Sequence, residues 1–434
     1  MRGASHDTQI LKDMKVCLLN TFDQVGGAAR ACQRLYDGLS CSGADVKFLV
    51  REKSGTDQSI EVCGSRRGGH LRALLDGLIL HRYPQRQLHN FSPAFMPACA
   101  VDTVNRFNPD IAHLHWIPQG FVRIEDLQMI NAPIVWTLHD SWPFAGGCHL
   151  PGDCRRYEEQ CGKCPVLGSG VADDLSRRVW KRRRDNYPLS RMTFVAPSRW
   201  LAEKAQSSSL LQDCRVEVIP NGVDTSLYSP GDRAVARTSL GLPPESRIIL
   251  FGARHALSDP NKGVDLLWRA LEALPLEIRS QCVVVTFGEK ASKLSASVDI
   301  TVINYGEVED ESKIVSLYQA ADLFVMTSRQ ENLPNMIAEA MSCGLPCVAF
   351  AVGGIPEQIS HRVNGCLVEP YDTDVMSSEI DWLLRAEDKQ GGLGRMARAY
   401  AQERYSLQKV ALQHIALYEK VLRSAHADGM SFSS

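Results

Sequence analysis

Short apolar runs alternate with longer amphipathic segments along most of the chain. KVCLLN (15–20), DVKFLV (45–50), DIAHLHW (110–116), PIVWTLH (133–139), MTFVAPS (192–198) and VEVIPNG (216–222) read as buried strands. The segment after the first of them, AARACQRLYDGL, has helical periodicity and predicts a helix opening just beyond Gly26 and Gly27. The pattern then restarts. RIILFGA (247–253), CVVVTFG (282–288), ITVINYG (300–306), DLFVMTS (322–328) and PCVAFAV (346–352) are near-continuous apolar runs separated by helix patterns such as GVDLLWRALEAL (263–274). Strands that are apolar on both faces belong to parallel sheets covered by helices. Two successive series predict two α/β domains of one architectural class. The break is expected near PNGVDTSLYSPGD (220–232), which is rich in Pro, Gly, Asp and Ser. LQKVALQHIALYEKVL (407–422) predicts a long closing helix.

At 434 residues the chain is long enough for two or three domains with real cores. It is 44% hydrophobic and 23% charged, the make-up of an ordinary soluble protein, and its formal net charge of −2 gives no global field for nucleic acid. Residues 1–13 are polar, without the apolar heart of a signal sequence, and read as a disordered leader. LRALLDGLIL (71–80) comes nearest to a membrane span, but it is too short and holds Arg72 and Asp76.

The chemistry concentrates in SRQENLPNMIAEAMSCGLPCVAF (328–350). A strand ends there, and Pro334 starts a helix that Gly344 stops. Glu331 therefore stands on a loop before a helix N-terminus, and Glu339 lies inside that helix. Such a terminus, beyond the carboxyl end of a strand, offers free N–H groups and a positive dipole end to an anionic or polyhydroxyl ligand. The frame ENLPNMIAEA, with seven residues between its two acids, resembles the signature of the retaining family 4 glycosyltransferases. These have the GT-B fold, two facing Rossmann-like domains with a cleft between them and a C-terminal helix crossing back to the first.

The resemblance spans residues 14 to about 422. It implies an N-terminal acceptor-side domain (14–218), a nucleotide-sugar donor domain (219–405), a returning helix (406–425) and a disordered tail (426–434). It implies that Glu331 faces the donor sugar, that the loop at Asn332, Leu333 and Pro334 holds sugar hydroxyls, and that Glu339 binds ribose. Gly26 and Gly27 match the loop facing the donor phosphates, and the amides of Gly353 and Gly354 are expected at the phosphate end of the donor pocket. Arg254 and Lys262 match the cations that neutralise the diphosphate. His139, in WTLHDSW (136–142), matches a histidine near the reacting region. Family members generally need no catalytic metal, so no cofactor is expected for the chemistry. DTD (372–374) precedes a helix pattern and reads as an N-cap. His113 and His115 share a strand face, but no third metal partner is evident.

The implied activity is transfer of a hexosyl group from a nucleotide-diphosphate sugar to a saccharide or lipid-linked saccharide in exopolysaccharide, capsule or lipopolysaccharide synthesis, with retained configuration. A sugar-nucleotide epimerase or hydrolase of this fold, and a non-catalytic binding protein, are the rivals. Asp140 is the one first-domain carboxylate the epimerase reading could use.

Two segments stand apart. GGCHLPGDCRRYEEQCGKCP (146–165) groups four of the 14 cysteines, Cys148, Cys154, Cys161 and Cys164, an insert resembling one in a subset of polysaccharide-building family members. Their spacing is compatible with a structural zinc site, with reduced packing cysteines, or with disulfide and redox chemistry. RRVWKRRRDNY (177–187) reads either as a solvated helix face or as a patch for anionic lipid, through Arg182, Arg183 and Arg184. The expectation is a cytoplasmic protein that visits the inner membrane surface.

Overall fold

The computed structural model describes residues 14–87, 90–97, 99–253, 259–288, 299–385 and 387–427. The leader at 1–13, the last residues of the tail (428–434) and Arg254 lie outside them. The chain forms two compact units, Met1–Gly222 with Leu407–Ser434, and Val223–Ser406.

The first unit is built on seven strands: β1 (Lys15–Phe22), β2 (Asp45–Glu52), β3 (Ile60–Val62), β4 (Ile111–Leu114), β5 (Ile134–Thr137), β6 (Met192–Ala196) and β7 (Val216–Val218). Their order across the sheet is β3-β2-β1-β4-β5-β6-β7, and every pairing is parallel. Leu18 of β1 pairs with Phe48 on one side and His113 on the other. β1 is buried from Val16 to Thr21 because helices cover both faces.

On one face lie the helix Gly27–Cys41 and the closing helix Leu407–Ala427, so that Leu35 and Leu39 share a core with Val410, Ile415 and Tyr418. The two helices approach closely at Gly38. A methyl group there would stand 3.1 Å from both Ala411 Cβ and the Leu407 carbonyl. The opposite face holds Trp136, Trp142, Phe144 and Phe194. Each such fully buried side chain contributes roughly 2–3 kcal/mol.

The second unit carries β8 (Arg247–Gly252), β9 (Cys282–Phe287), β10 (Thr301–Asn304), β11 (Leu323–Met326), β12 (Cys347–Phe350) and β13 (Gly365–Val368). The order is β10-β9-β8-β11-β12-β13, again all parallel. Asp372 caps the helix Thr373–Leu384, accepting the Val375 N–H at 3.0 Å. Its place in DTD is thus that of a helix cap.

β3 and β13 escape the hydrophobic pattern. β3 has three residues, one of them Glu61. β13 opens with Gly365, where a Cβ would sit 2.8 Å from the Cys347 carbonyl, so close approach outweighs strand propensity. The helix expected to begin at Pro334 is Asn335–Ser342, with Pro334 as its N-cap.

The basic segment needs a correction. It forms the helix Leu175–Asn186, capped by Asp174, whose carboxylate takes the N–H groups of Ser176 and Arg177. Arg183 is fully buried, and Arg182 is held by Glu125 at 2.6 and 2.7 Å, by two backbone carbonyls and by the Phe95 ring. Of the three arginines read as a lipid patch, only Arg184 faces solvent. The other two fasten the helix to its own unit.

Candidate active site

In the second unit the strand order reverses between β8 and β11, and the loops leaving their carboxyl ends meet. This is where an open parallel sheet forms a crevice. The first loop closes with a turn at Pro260–Lys262, capped by Asp259 through the Asn261 N–H. Gly263 follows at φ +65°, with room for no side chain: a Cβ would lie 2.0 Å from the Thr327 carbonyl. The second loop is stitched to the first. Asn261 Nδ2 donates to the Gln330 carbonyl at 2.9 Å, the Arg329 N–H to the Asn261 carbonyl at 2.7 Å, and Thr327 Oγ1 to the Lys262 carbonyl at 3.1 Å. Arg329 also pairs with Asp265 at 2.7 Å.

This stitching delivers Lys262 Nζ to Glu331 Oε1 at 2.8 Å, with side-chain exposures of 26% and 19%. The neighbouring Glu331 carboxylate, against the opposing cost of burial, holds the Lys262 ammonium above its ordinary pKa. The lysine is therefore cationic at any physiological pH. A partly exposed cation at a strand switch point can take one more anion.

Gly353 and Gly354 do something other than the sequence suggests. Gly353 has φ +59°, and a Cβ there would fall 1.6 Å from the Glu331 carbonyl. The Gly354 N–H turns back onto the carbonyls of Asn332 at 2.9 Å and Glu331 at 3.3 Å. That amide is engaged in holding the Glu331 loop and is not free for a phosphate. Asn332 is partly exposed and Leu333 is buried. Pro334 has no N–H, so in this trio it shapes the turn and donates nothing. Glu339 is buried, with Oε2 accepting the Tyr318 hydroxyl at 3.0 Å. Sequence reading missed Tyr318, because its helix Glu311–Ala320 carries no motif that points to Glu339.

In the first unit the order reverses between β1 and β4. Gly26, at φ +93°, caps the helix opening at Gly27. A Cβ on Gly26 would touch nothing, so backbone conformation, not crowding, requires glycine there.

His139 sits past the end of β5 in a row of histidines. Its Nε2 lies 2.9 Å from His115 Nδ1. The His115 ring is 4.5 Å from that of His113. His113 in turn contacts Tyr418 at 2.6 Å and Thr137 at 2.8 Å, and its ring is 5.5 Å from that of His414 on the closing helix. Burial drives His139 and His414 down to about 4, and His113 and His115 downward as well. His139 is therefore a neutral imidazole at neutral pH, able to donate or accept one hydrogen bond but carrying no charge.

Beside it, Asp140 Oδ2 accepts from His149 Nδ1 at 2.8 Å and from Trp116 Nε1 at 3.1 Å. His149 Nε2 reaches Ser92 Oγ at 2.9 Å. Although burial pushes Asp140 upward, His149, the Trp142 N–H and His139 hold it below the ordinary carboxylate range. The three ties join residues 9, 24 and 57 positions apart, so no single local pattern announces them.

Two all-parallel, doubly wound sheets, with an acid–cation pair at the switch point of one of them, place the chain in the class of two-unit α/β proteins. Residues 25–227 match the family model described as Glycosyltransferase Family 4, and residues 232–401 the model described as Glycosyl transferases group 1. A D-inositol 3-phosphate glycosyltransferase of Xylanimonas cellulosilytica is 32% identical over 417 residues, 92% of each chain. Its namesake from Mycolicibacterium gilvum is 33% identical over 377 residues, 82% of this chain and 76% of the other. With that of Segniliparus rotundus the match spans 222 residues at 30% identity, 48% of either chain. The chain belongs to the family 4 glycosyltransferases.

Solved structures of similar fold include sucrose-phosphate synthase from Thermosynechococcus elongatus, at TM-score 0.66 and 17% identity, covering 95% of this chain and 100% of that one. Anabaena HepE in complex with UDP-glucose gives TM-score 0.64 and 19% identity over 95% of this chain and 100% of that one. The fold is GT-B.

The buried histidines make an acid-side prediction. Their folded pKa values lie below the ordinary 6.5, so the unfolded chain binds more protons as pH falls. Stability is complete above about pH 6.5 and declines toward about pH 4, by roughly 1–2 kcal/mol for each of His139 and His414 on going from pH 7 to 5. Thermal melts of the full chain should show a lower midpoint at pH 5 than at pH 7, and His414→Gln should make that fall shallower. Equal falls in both proteins would contradict the assignment.

Proposed function

We propose that the chain moves a hexosyl group from a nucleoside diphosphate sugar to a saccharide or lipid-linked saccharide, with retained anomeric configuration and no catalytic metal. The observation that carries this reading is the Lys262–Glu331 pair at the β8–β11 switch point. When the glycosidic bond to the leaving diphosphate breaks, negative charge grows on the β-phosphate and positive charge on the anomeric carbon. A cation and a carboxylate 2.8 Å apart meet both. Lys262 stabilises the departing oxygen. Glu331 faces the sugar and the developing positive charge. His139, neutral, contributes a hydrogen bond and no charge. With placement and fixed charges supplying the stabilisation, an added metal ion has no evident task. Arg254 belongs to the same reading as a second cation on the diphosphate.

The names of the curated relatives support a second acceptor, inositol 3-phosphate, a small phosphorylated polyol. The two readings share the donor half and separate on the acceptor. We assign the first to polysaccharide or lipopolysaccharide assembly on the cytoplasmic side of a membrane.

A screen of UDP-, GDP- and ADP-sugars, by thermal stabilisation and by turnover with both acceptors, should identify one active donor. NMR of the product should show the donor's anomeric configuration, and Glu331→Ala should abolish turnover with little effect on the melting midpoint. An inverted product would overturn the retaining mechanism. Full activity of the Glu331 variant would overturn the site.

Contact with a lipid surface is supported by a different segment from the basic one. No helix among the described residues is long and apolar enough to cross a membrane. Yet Leu74 and Leu78, at the end of the helix Arg66–Gly77, are 70% and 55% exposed, and Arg66, Arg67 and Arg82 nearby are exposed cations. Leucines flanked by arginines suit the interface of an anionic bilayer. The full chain should float with vesicles containing phosphatidylglycerol, and Leu74→Ser with Leu78→Ser should abolish flotation. Undiminished flotation of that variant would remove this part of the proposal.

A further inference from the structure

The four cysteines of the insert come together in space. Cys148, Cys154, Cys161 and Cys164 all line one cavity of about 10 Å³, with Gly146, Tyr157 and Ser176 among its other walls. That volume admits one water-sized sphere. All four are free thiols.

The backbone is shaped to aim them. Between the last two cysteines the chain turns through Cys161 at φ +57°, Gly162 at +98° and Lys163 at +44°. Three successive left-handed residues, two of them not glycine, are uncommon and unfavourable in an ordinary loop. The turn is so tight that a Cβ on Gly162 would lie 2.2 Å from the Ala172 carbonyl. Gly146 closes the other side, where a Cβ would meet Cys161 Cβ and Sγ at 2.9 Å each. Backbone N–H groups point at sulfur: those of Val166 and Leu167 at Cys164, and that of Gly146 at Cys161.

Charge provides an independent sign. Arg183 lies beside Cys148 and Cys161, with no exposed surface. One nitrogen donates to the Ala145 carbonyl, and the guanidinium lies 4.3 Å from the Trp142 ring centre. Its Nε and Nη2 make no well-formed hydrogen bond, and the side-chain oxygen beside the guanidinium is the neutral Tyr187 hydroxyl, itself donating to the Pro143 carbonyl. A buried guanidinium with only a carbonyl, an aromatic ring and a neutral hydroxyl around it is costly unless something nearby is negative. Nothing in the glycosyl-transfer site uses this arginine.

We infer that the insert is a structural metal site in which Cys148, Cys154, Cys161 and Cys164 bind one zinc ion, with Arg183 as the buried counter-charge. Binding converts four thiols and Zn²⁺ into a tetrathiolate complex of net charge −2 and releases four protons, with no change of oxidation state. The cavity as it stands has room for a single small sphere. Among the described residues no three His, Cys, Asp or Glu side chains already stand in metal-holding geometry. The inference therefore requires the sulfur atoms to draw in around the ion. The consequence reaches the site described above. Cys148 bridges to Phe91, and the next residue, His149, holds Asp140 beside His139. The metal would fix that arm.

The test uses the full chain purified under reducing conditions. Metal analysis should give about one zinc per chain, retained through gel filtration and released when a mercurial blocks the thiols. Cobalt(II) added to chelator-stripped protein should give the strong visible bands of a tetrahedral thiolate complex. Arg183→Met should weaken zinc retention by about tenfold or more, while Arg184→Met and Cys41→Ser should retain the metal. Wild-type protein that keeps no zinc after reconstitution and shows no cobalt–thiolate bands would overturn the inference, whether or not cysteine variants fold. So would a thiol count two short in the fresh protein, which would mean a disulfide.

Discussion

The ion pair between Lys262 and Glu331 depends on a reversal of strand order, and much of the second unit serves it. β8 and β11 are neighbours in the sheet but far apart in sequence, so their trailing loops leave side by side. Hydrogen bonds from Asn261, Thr327 and Arg329 then lock the loops together. Two glycines, at 263 and 353, let backbone pass where any side chain would collide. The pair is not chiefly a stabilising device. At 2.8 Å and with both groups partly exposed, its Coulomb attraction is offset by desolvation and amounts to a few kcal/mol at most. Its value is that a cation and an acid are held at the crevice before any ligand arrives, so little reorganisation remains when charge develops.

The first unit solves a different problem. It presents neutral groups in a defined orientation. The row from His414 through His113 and His115 to His139 runs from the closing helix to the end of β5 and is kept uncharged by burial. The closing helix, 21 residues long, thereby packs on the helix Gly27–Cys41 and also supports the orientation of a candidate site residue. Asp140 is tied in parallel through His149 to Ser92, which links the cysteine insert to the same strand end.

Most of the architecture was legible because parallel strands buried on both faces leave long apolar runs. β1, β8 and β9 stand out in the sequence for that reason. β3 and β13 do not, since three or four residues with a glutamate or a leading glycine carry no such run. The acid–cation pair was legible residue by residue, Glu331 from the ENLP frame and Lys262 from its place before a predicted helix, but the bond between its members was not. That depends on sheet order, which periodicity leaves open. The arginines at 182 and 183 misled for a related reason. Composition marks a basic segment as surface, whereas Glu125, Phe95, Trp142 and backbone carbonyls more than thirty residues away had already claimed them. The amide of Gly354 was likewise assigned to a ligand because the carbonyls it serves lie on another loop.

The central claim is that Lys262 is the diphosphate's cation and Glu331 the sugar's acid, two tasks on one pair. Calorimetric titration of the nucleoside diphosphate released from the active donor separates them, because that product carries the phosphates and no sugar. Lys262→Met should weaken its binding by more than about tenfold, while Glu331→Gln should leave it within about twofold of the unaltered chain. Unchanged affinity in the lysine variant, or an equal loss in both, would contradict the division of labour on which the account rests.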